Sequence, residues 1–355
     1  MAQVFSDISY GASPKSRVDI HEPDTYNFAN QSGPDPKAVL LYLHGGGWSA
    51  GDKAIDASNY VCFGGDADPD FQDKPQCSLM ADNGNYVVIS ANYDLLGPDP
   101  VPDPTPCLAP RGDGYYPNNI NQLIELLKFL IVPGYATGVN QATWELLNRF
   151  VLTYGLVISG GSAGGQLAYT SAFETANSTG HWARGILNVV GPMDLVNSAE
   201  NPLPPGAQSL VNAYTNSNLQ NQEDASPYYQ RINYESYTDF DDLSDPLAYQ
   251  TKTRLAFWYN TNDTLVPTTA ITRFISWAQS ELGTGFVIDV PVTEGTVTPG
   301  VESHNVTTPL SEIWVPMTDS ICYQGLNYPK VQQKLRPTQG MVYPRPYIYR
   351  YPRST

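Results

Sequence analysis

The apolar residues of this chain fall into short unbroken runs separated by amphipathic stretches. Residues 37–43 (KAVLLYL), 85–92 (NYVVISAN), 184–190, 254–260 (RLAFWYN) and 285–292 read as buried strands, as does the run opening LVISGGSAGG at Leu156. Between them, residues 118–132 place Ile120, Leu123, Leu126, Leu127 and Leu130 on one side of a helix. Further helices are predicted over 141–150, 163–176, 268–282 and 311–322. An edge hairpin is predicted at the start, from the short runs 4–10 and 17–21 with their Pro and Gly punctuation. Strands alternating with helices imply an α/β fold, with a mostly parallel central sheet covered on both faces.

Three stretches break that rhythm. Residues 54–85 contain the aspartate-rich GGDADPDFQDKP, residues 97–116 are rich in proline, and residues 197–253 are rich in Asn, Tyr, Asp, Pro and Ser. The first two read as insertions, and the third as a cap over the C-terminal edge of the sheet. The expected organisation is one domain over 1–324, followed by a Tyr/Pro/Arg-rich extension over 325–355 that offers little to a core.

Composition narrows the partners. The 355 residues are 41% hydrophobic and only 15% charged, so the surface is more polar than ionic. Nineteen Lys and Arg against thirty-five Asp and Glu give a formal charge of −16, which argues against nucleic acid and anionic membranes. No apolar run reaches the roughly eighteen residues of a membrane span, and the first residues as written show no basic-then-apolar export signal. Localisation stays open on this basis, and the reading is of a soluble chain. Cys62, Cys77, Cys107 and Cys322 show no metal-ligand spacing, so no metal is expected. A Cys62–Cys77 bridge would close a loop worth about 3 kcal/mol in the chain-entropy model, and reduced thiols fit equally well. Sequons at Asn177, Asn262 and Asn305 carry meaning only on a eukaryotic secretory route.

The candidate chemistry centres on Gly160-Gly161-Ser162-Ala163-Gly164, a G-x-S-x-G set at the end of a strand and the start of a helix. Such a turn needs small residues two positions either side of the serine and lifts its hydroxyl clear of the sheet. A nucleophilic Ser162 requires a base and an acid that orients it. Among four histidines, His21 and His181 read as surface residues, and His44 as a brace for the loop it opens. His304 remains, on a loop after the last strand. Asp263 follows the preceding strand, where residues past strand C-termini gather along one edge; Asp239, Asp241, Asp242 and Asp245 are the alternatives. Three successive glycines, Gly45 to Gly47, follow the 37–43 strand, where their use is to let main-chain N–H groups approach a ligand.

With HGGGW, GGSAGG, NDTLVP and SHN in that order over residues 7–322, the chain resembles the carboxylesterases of the α/β-hydrolase superfamily, in their hormone-sensitive-lipase-like or xylan- and feruloyl-esterase-like branches. Gly161 stands where hormone-sensitive-lipase-like enzymes usually carry aspartate, and GW-x-x-GDK sits closer to the polysaccharide esterases. The resemblance implies an α/β-hydrolase fold with Ser162 as nucleophile, His304 as base and Asp263 as its partner. It also implies an oxyanion hole from the N–H groups of Gly46, Gly47 and Ala163. Trp48 and His44 are substrate-pocket candidates, and Tyr115, Tyr116, Tyr228, Tyr229, Tyr234 and Tyr237 either line the pocket or lie scattered on the surface. The implied activity is hydrolysis of short-acyl or aryl esters, free or linked to a saccharide, with no cofactor. Amide or peptide cleavage by the same triad, or a binding module on a retained fold, are the alternatives. The tail invites docking or self-association.

Overall fold

The structure is a computed structural model that describes residues 4–27, 32–49, 51–53, 76–96, 114–136, 140–235, 253–293, 304 and 310–323. Most of the expected insertions (54–75, 97–113), the end of the cap (236–252), the tail, Cys62, Cys107 and the four alternative aspartates lie outside the described residues.

Eight strands form one sheet: β1 (Val4–Ser9), β2 (Arg17–His21), β3 (Val39–Leu43), β4 (Val87–Ala91), β5 (Leu156–Gly161), β6 (Gly185–Val189), β7 (Arg254–Asn260) and β8 (Val287–Val292). Their spatial order is β1-β2-β4-β3-β5-β6-β7-β8. The first two run antiparallel and join β4, and every pair from β4 to β8 is parallel. The crossover helices are α1 (Gln76–Gly84), α2 (Asn118–Ile131), α3 (Gln141–Tyr154), α4 (Ala163–Thr179) and α8 (Thr268–Leu282), and α9 (Leu310–Tyr323) follows β8. Between β6 and β7 stand α5 (Pro205–Thr215), α6 (Leu219–Ala225) and α7 (Pro227–Glu235).

The continuous apolar strands are explained by burial on both faces. On β3, Val39, Leu41 and Leu43 join one core with Leu123, Leu127, Leu167 and Phe274. Leu40 and Tyr42, pointing the other way, join a second core with Met80, Trp314 and Ile321. Helices α2, α3, α4 and α8 thus cover one face, and α1 and α9, which pack on each other, cover the other. Trp314 fixes α9 by donating its indole N–H to Ser159 Oγ on β5 and by meeting Tyr42 edge-on at 5.3 Å.

Two expectations change. Residues 76–84, the end of the expected 54–85 insertion, form α1, and Cys77, Met80 and Ala81 are buried core. His21, expected at the surface, is 2% exposed: α1 lies over β2, and Ser78 Oγ sits 3.0 Å from His21 Nδ1. His181 is exposed as expected. Cys77 and Cys322 are free buried thiols. Among the described residues no helix is long and apolar enough to cross a membrane.

Candidate active site

The parallel register brings the ends of β5, β6, β7 and β8 to one edge, with Gly161 opposite Val189, Val189 opposite Trp258, and Asn260 opposite Val292. Ser162 is the first residue past β5 and the N-cap of α4, with φ 52° and ψ −125°. A non-glycine residue at positive φ is uncommon and strained, so the surroundings must hold it. They do so through hydrogen bonds from Ser162 N–H to Val189 O (2.8 Å) and from Gly165 N–H to Ser162 O (2.9 Å). The flanking glycines are demanded by contact. A methyl at Gly160 would lie 2.2 Å from the Gly164 carbonyl carbon, and one at Gly164 would lie 2.2 Å from Leu43 O.

Asp263 lies in the turn after β7. Its Oδ1 accepts the N–H groups of Leu265 and Val266, both at 2.9 Å, and its Oδ2 lies 2.6 Å from His304 Nδ1. The carboxylate is an acceptor only, so Nδ1 carries the proton and Nε2 is left as an acceptor. The carboxylate is 2% exposed and the imidazole 13%, and Nε2 is buried with no partner among the described residues. β7 lies two strands from β5, and among the described residues no hydrogen bond joins His304 Nε2 to Ser162 Oγ.

The loop after β3 completes the edge. Gly46 (φ 113°) and Gly47 (φ 57°) adopt conformations that favour glycine. At Gly45 a methyl would stand 2.9 Å from Gly161 O, so the loop runs directly beside the serine turn. Ala163, as the first residue of α4, has an N–H with no intrahelical partner. Among the described residues, the N–H groups of Gly46, Gly47 and Ala163 find no acceptor. Ala163 stands at the positive end of α4.

His44 does not line the cleft beside Ser162. It stacks on Tyr93 at 4.4 Å, its Nδ1 lies 2.8 Å from Gly45 O, and burial pushes its pKa down, so it serves as an uncharged brace. Trp48 does line the cleft, with Gly47, Ser162 and Ala163. The other walls are aliphatic: Leu203, Ala207, Leu210 and Val211 from the α5 segment face Pro192 and Leu195 after β6 and Leu265 and Val266 after β7. No tyrosine contributes among the described residues. Tyr115, Tyr116 and Tyr228 pack against the core instead, and Tyr237 lies outside the described residues. The cleft itself holds about 40 Å³, far below the range of about 300–1,000 Å³ for drug-sized ligand sites. A wider hollow between α2 and α3, lined by Phe129, Glu145 and Arg149, contains no Ser, Cys or His in its lining.

Sequence reasoning missed Asn188 and Gln166. Asn188, on β6, accepts Gly191 N–H (2.6 Å) and donates to Gly191 O (2.9 Å), fixing the turn that packs against the serine elbow. Its signal was a polar residue inside a buried strand. Among the described residues, no group of three or more His, Cys, Asp or Glu is arranged to hold a metal ion.

No family model matches the chain. Over 170 residues it is 28% identical to neutral cholesterol ester hydrolase 1 of Mus musculus, a match covering 46% of this chain and 32% of that protein. The chain thus spans about a third of the length of the curated relatives it matches. Among solved structures, the fold matches esterase B from Lactobacillus rhamnosis, inhibited by a tributyrin phosphonate, at a TM-score of 0.51 and 14% identity, over 82% of this chain and 74% of that one. A truncated carbohydrate esterase from gut microbiota matches at a TM-score of 0.51 and 13% identity, over 90% and 96%. With its sheet order and its serine elbow, the chain has the α/β-hydrolase fold.

Proposed function

We propose that this α/β-hydrolase-fold chain is a serine carboxylesterase that cleaves compact, short-acyl or aryl esters through an acyl-enzyme. The observation that carries the reading is the Asp263–His304 hydrogen bond at 2.6 Å, on loops that lead to the sheet edge where Ser162 is raised. His304 Nε2 accepts the Ser162 proton as Oγ attacks the ester carbonyl. Asp263 holds the imidazole in the tautomer that leaves Nε2 open and stabilises the imidazolium, which then protonates the leaving alcohol. The N–H groups of Gly46, Gly47 and Ala163 carry the tetrahedral oxyanion, where loss of one such donor raises a barrier by about 3–4 kcal/mol. Water repeats the sequence and releases the acid, and the residues named close the cycle between them.

The narrow aliphatic cleft supports a short acyl group, free or carried on a saccharide, over the bulky fatty acyl chain of a sterol ester. The test is labelling with a fluorophosphonate probe, followed by a panel of p-nitrophenyl esters, acetylated xylan and cholesteryl oleate. The wild type should label and turn over acetate and butyrate, and Ser162→Ala should do neither. A wild type that fails to label removes the reading, and preference for long acyl chains removes its short-acyl part.

A further inference from the structure

Gln166 is fully buried on α4, four residues after Ser162, and the ester-hydrolysis mechanism makes no use of it. Its Oε1 accepts the indole N–H of Trp48 at 2.9 Å, and its Nε2 donates to Ala225 O at 2.6 Å and to Thr170 Oγ1 at 2.9 Å. Trp48 Nε1 can only donate and the Ala225 carbonyl can only accept, so the two partners together require an amide at this position. A carboxylate could not donate, and an apolar side chain would leave the Trp48 N–H unpaired in the interior, while Thr170 Oγ1 would keep its 2.9 Å bond to Ala225 O.

Trp48 is the residue next to Gly47, and it stands at φ 60°, a left-handed conformation that a bulky aromatic residue adopts only where its surroundings enforce it. Three contacts enforce it here. The indole N–H goes to Gln166, the ring stacks on Tyr214 of α5 at 4.5 Å and 2°, and Trp48 O accepts Leu96 N–H at 2.8 Å. Tyr214 is itself tied down, with its OH on Asn119 Oδ1 at 3.0 Å and its carbonyl accepting Tyr116 N–H at 3.0 Å. Gln166 therefore joins three parts of the site: the helix that starts at the nucleophile, the glycine loop, and, through Ala225 of α6, the cap.

We propose that Gln166 is a positioning residue that aims the Gly46 and Gly47 N–H groups at the oxyanion by locking Trp48, and that it couples this aim to docking of the cap helices. The inference rests on the esterase reading for its catalytic consequence, while the link itself is structural and can be read separately. Gln166→Met keeps length and volume but removes the amide, and Trp48→Phe removes the donor end of the same bond together with part of the ring that stacks on Tyr214.

The test measures both variants and their combination in two ways. On p-nitrophenyl acetate, each single variant should lose kcat by about 10- to 100-fold, as expected for donors misplaced by a fraction of an ångström to one ångström, with KM within about 3-fold. The double variant should be no worse than the weaker single, because both remove one bond. In hydrogen–deuterium exchange, the peptide over residues 44–49 should exchange faster in both variants, with β5 and β6 unchanged. An unchanged kcat, losses that multiply, or unchanged exchange over 44–49 would each overturn the proposal. If the wild type hydrolyses no ester, the esterase reading fails on its own, and exchange over 44–49 still decides whether Gln166 holds the loop.

Discussion

Asp263 and His304 meet at 2.6 Å between Oδ2 and Nδ1, and the other oxygen of the same carboxylate is held by its own turn through the N–H groups of Leu265 and Val266. The second pair of bonds keeps Asp263 oriented whether or not histidine is protonated. Asp263→Asn should therefore preserve the turn while offering His304 an N–H where it needs an acceptor, which forces the opposite tautomer. The expected result is a loss of kcat of about 10³- to 10⁴-fold with melting temperature nearly unchanged. Asp263→Ala should lose activity and stability together, because two partly buried N–H groups lose their acceptor, at up to about 1 kcal/mol each. Steady-state kinetics beside thermal melts separate the two cases.

A second pair of substitutions tests how the serine elbow is built. At Gly161 a methyl would stand 3.7 Å from the nearest atom, on Trp314, an ordinary contact, and the backbone there is not left-handed. Gly161→Ala should fold normally, with stability within about 1 kcal/mol of the wild type. At Gly164 the same methyl would lie 2.2 Å from Leu43 O and 2.5 Å from His44 O, two main-chain atoms that cannot swing aside. Gly164→Ala should lose more than about 3 kcal/mol or fail to accumulate as folded protein. Urea midpoints of the soluble variants decide it, and equal midpoints would contradict this account of the turn.

These contrasts show what was legible in the chain. The buried strands could be read because both faces of β3, β5, β6 and β7 are covered, so their apolar runs are unbroken. Asp263 and His304 were reachable because parallel strands deliver every following loop to one edge. The cap was legible only as a change of composition. Leu203 and, from α5, Ala207, Leu210 and Val211 face the cleft, and no local pattern distinguishes aliphatic residues that face a substrate from those that face a core. Gln166 escaped for a related reason, since its partners Trp48 and Ala225 lie 118 and 59 residues away. His21 was misplaced because β2 looks like an edge strand in sequence, and the helix that buries it, QCSLMADNG, has too weak an apolar stripe to announce itself.

The acyl side of the cleft should respond to Leu210. Its two methyl carbons lie 3.2 and 3.3 Å from where a side chain on Gly47 would begin, so it closes the space directly over the glycine loop. Leu210→Ala opens that space without touching Ser162, Asp263 or His304. The ratio of kcat/KM for p-nitrophenyl hexanoate over acetate should rise by about 10-fold, within the range that a few methylenes earn in an apolar pocket. An unchanged ratio would place the acyl group elsewhere. Leu210→Phe should shift the preference the other way, towards acetate.

Stability should fall in mild acid because of His21. The ring is 2% exposed, with Nδ1 at 3.0 Å from Ser78 Oγ and Nε2 buried without a partner among the described residues. Burial is the main force on its pKa, with Lys53 acting in the same direction and Asp19 opposing, and the result is pushed down to about 4 from 6.5. The folded state therefore holds the ring neutral while the unfolded chain accepts a proton, so between these two values the unfolded state binds more protons and gains on the folded one. The contribution is fully present above about pH 6.5 and is lost as pH falls towards 4, amounting to roughly 3 kcal/mol at one pKa unit per 1.4 kcal/mol. Carboxylates titrate in the lower part of the same window, so the measurement is a difference. Urea midpoints are taken at pH 7, 5.5 and 4.5 for the wild type and for His21→Gln, which cannot gain the proton. His21→Gln should be less stable at pH 7, where it disturbs a close-packed site, and should lose less on acidification, so that the two curves converge by pH 4.5. Parallel curves would mean that His21 is not the group that titrates.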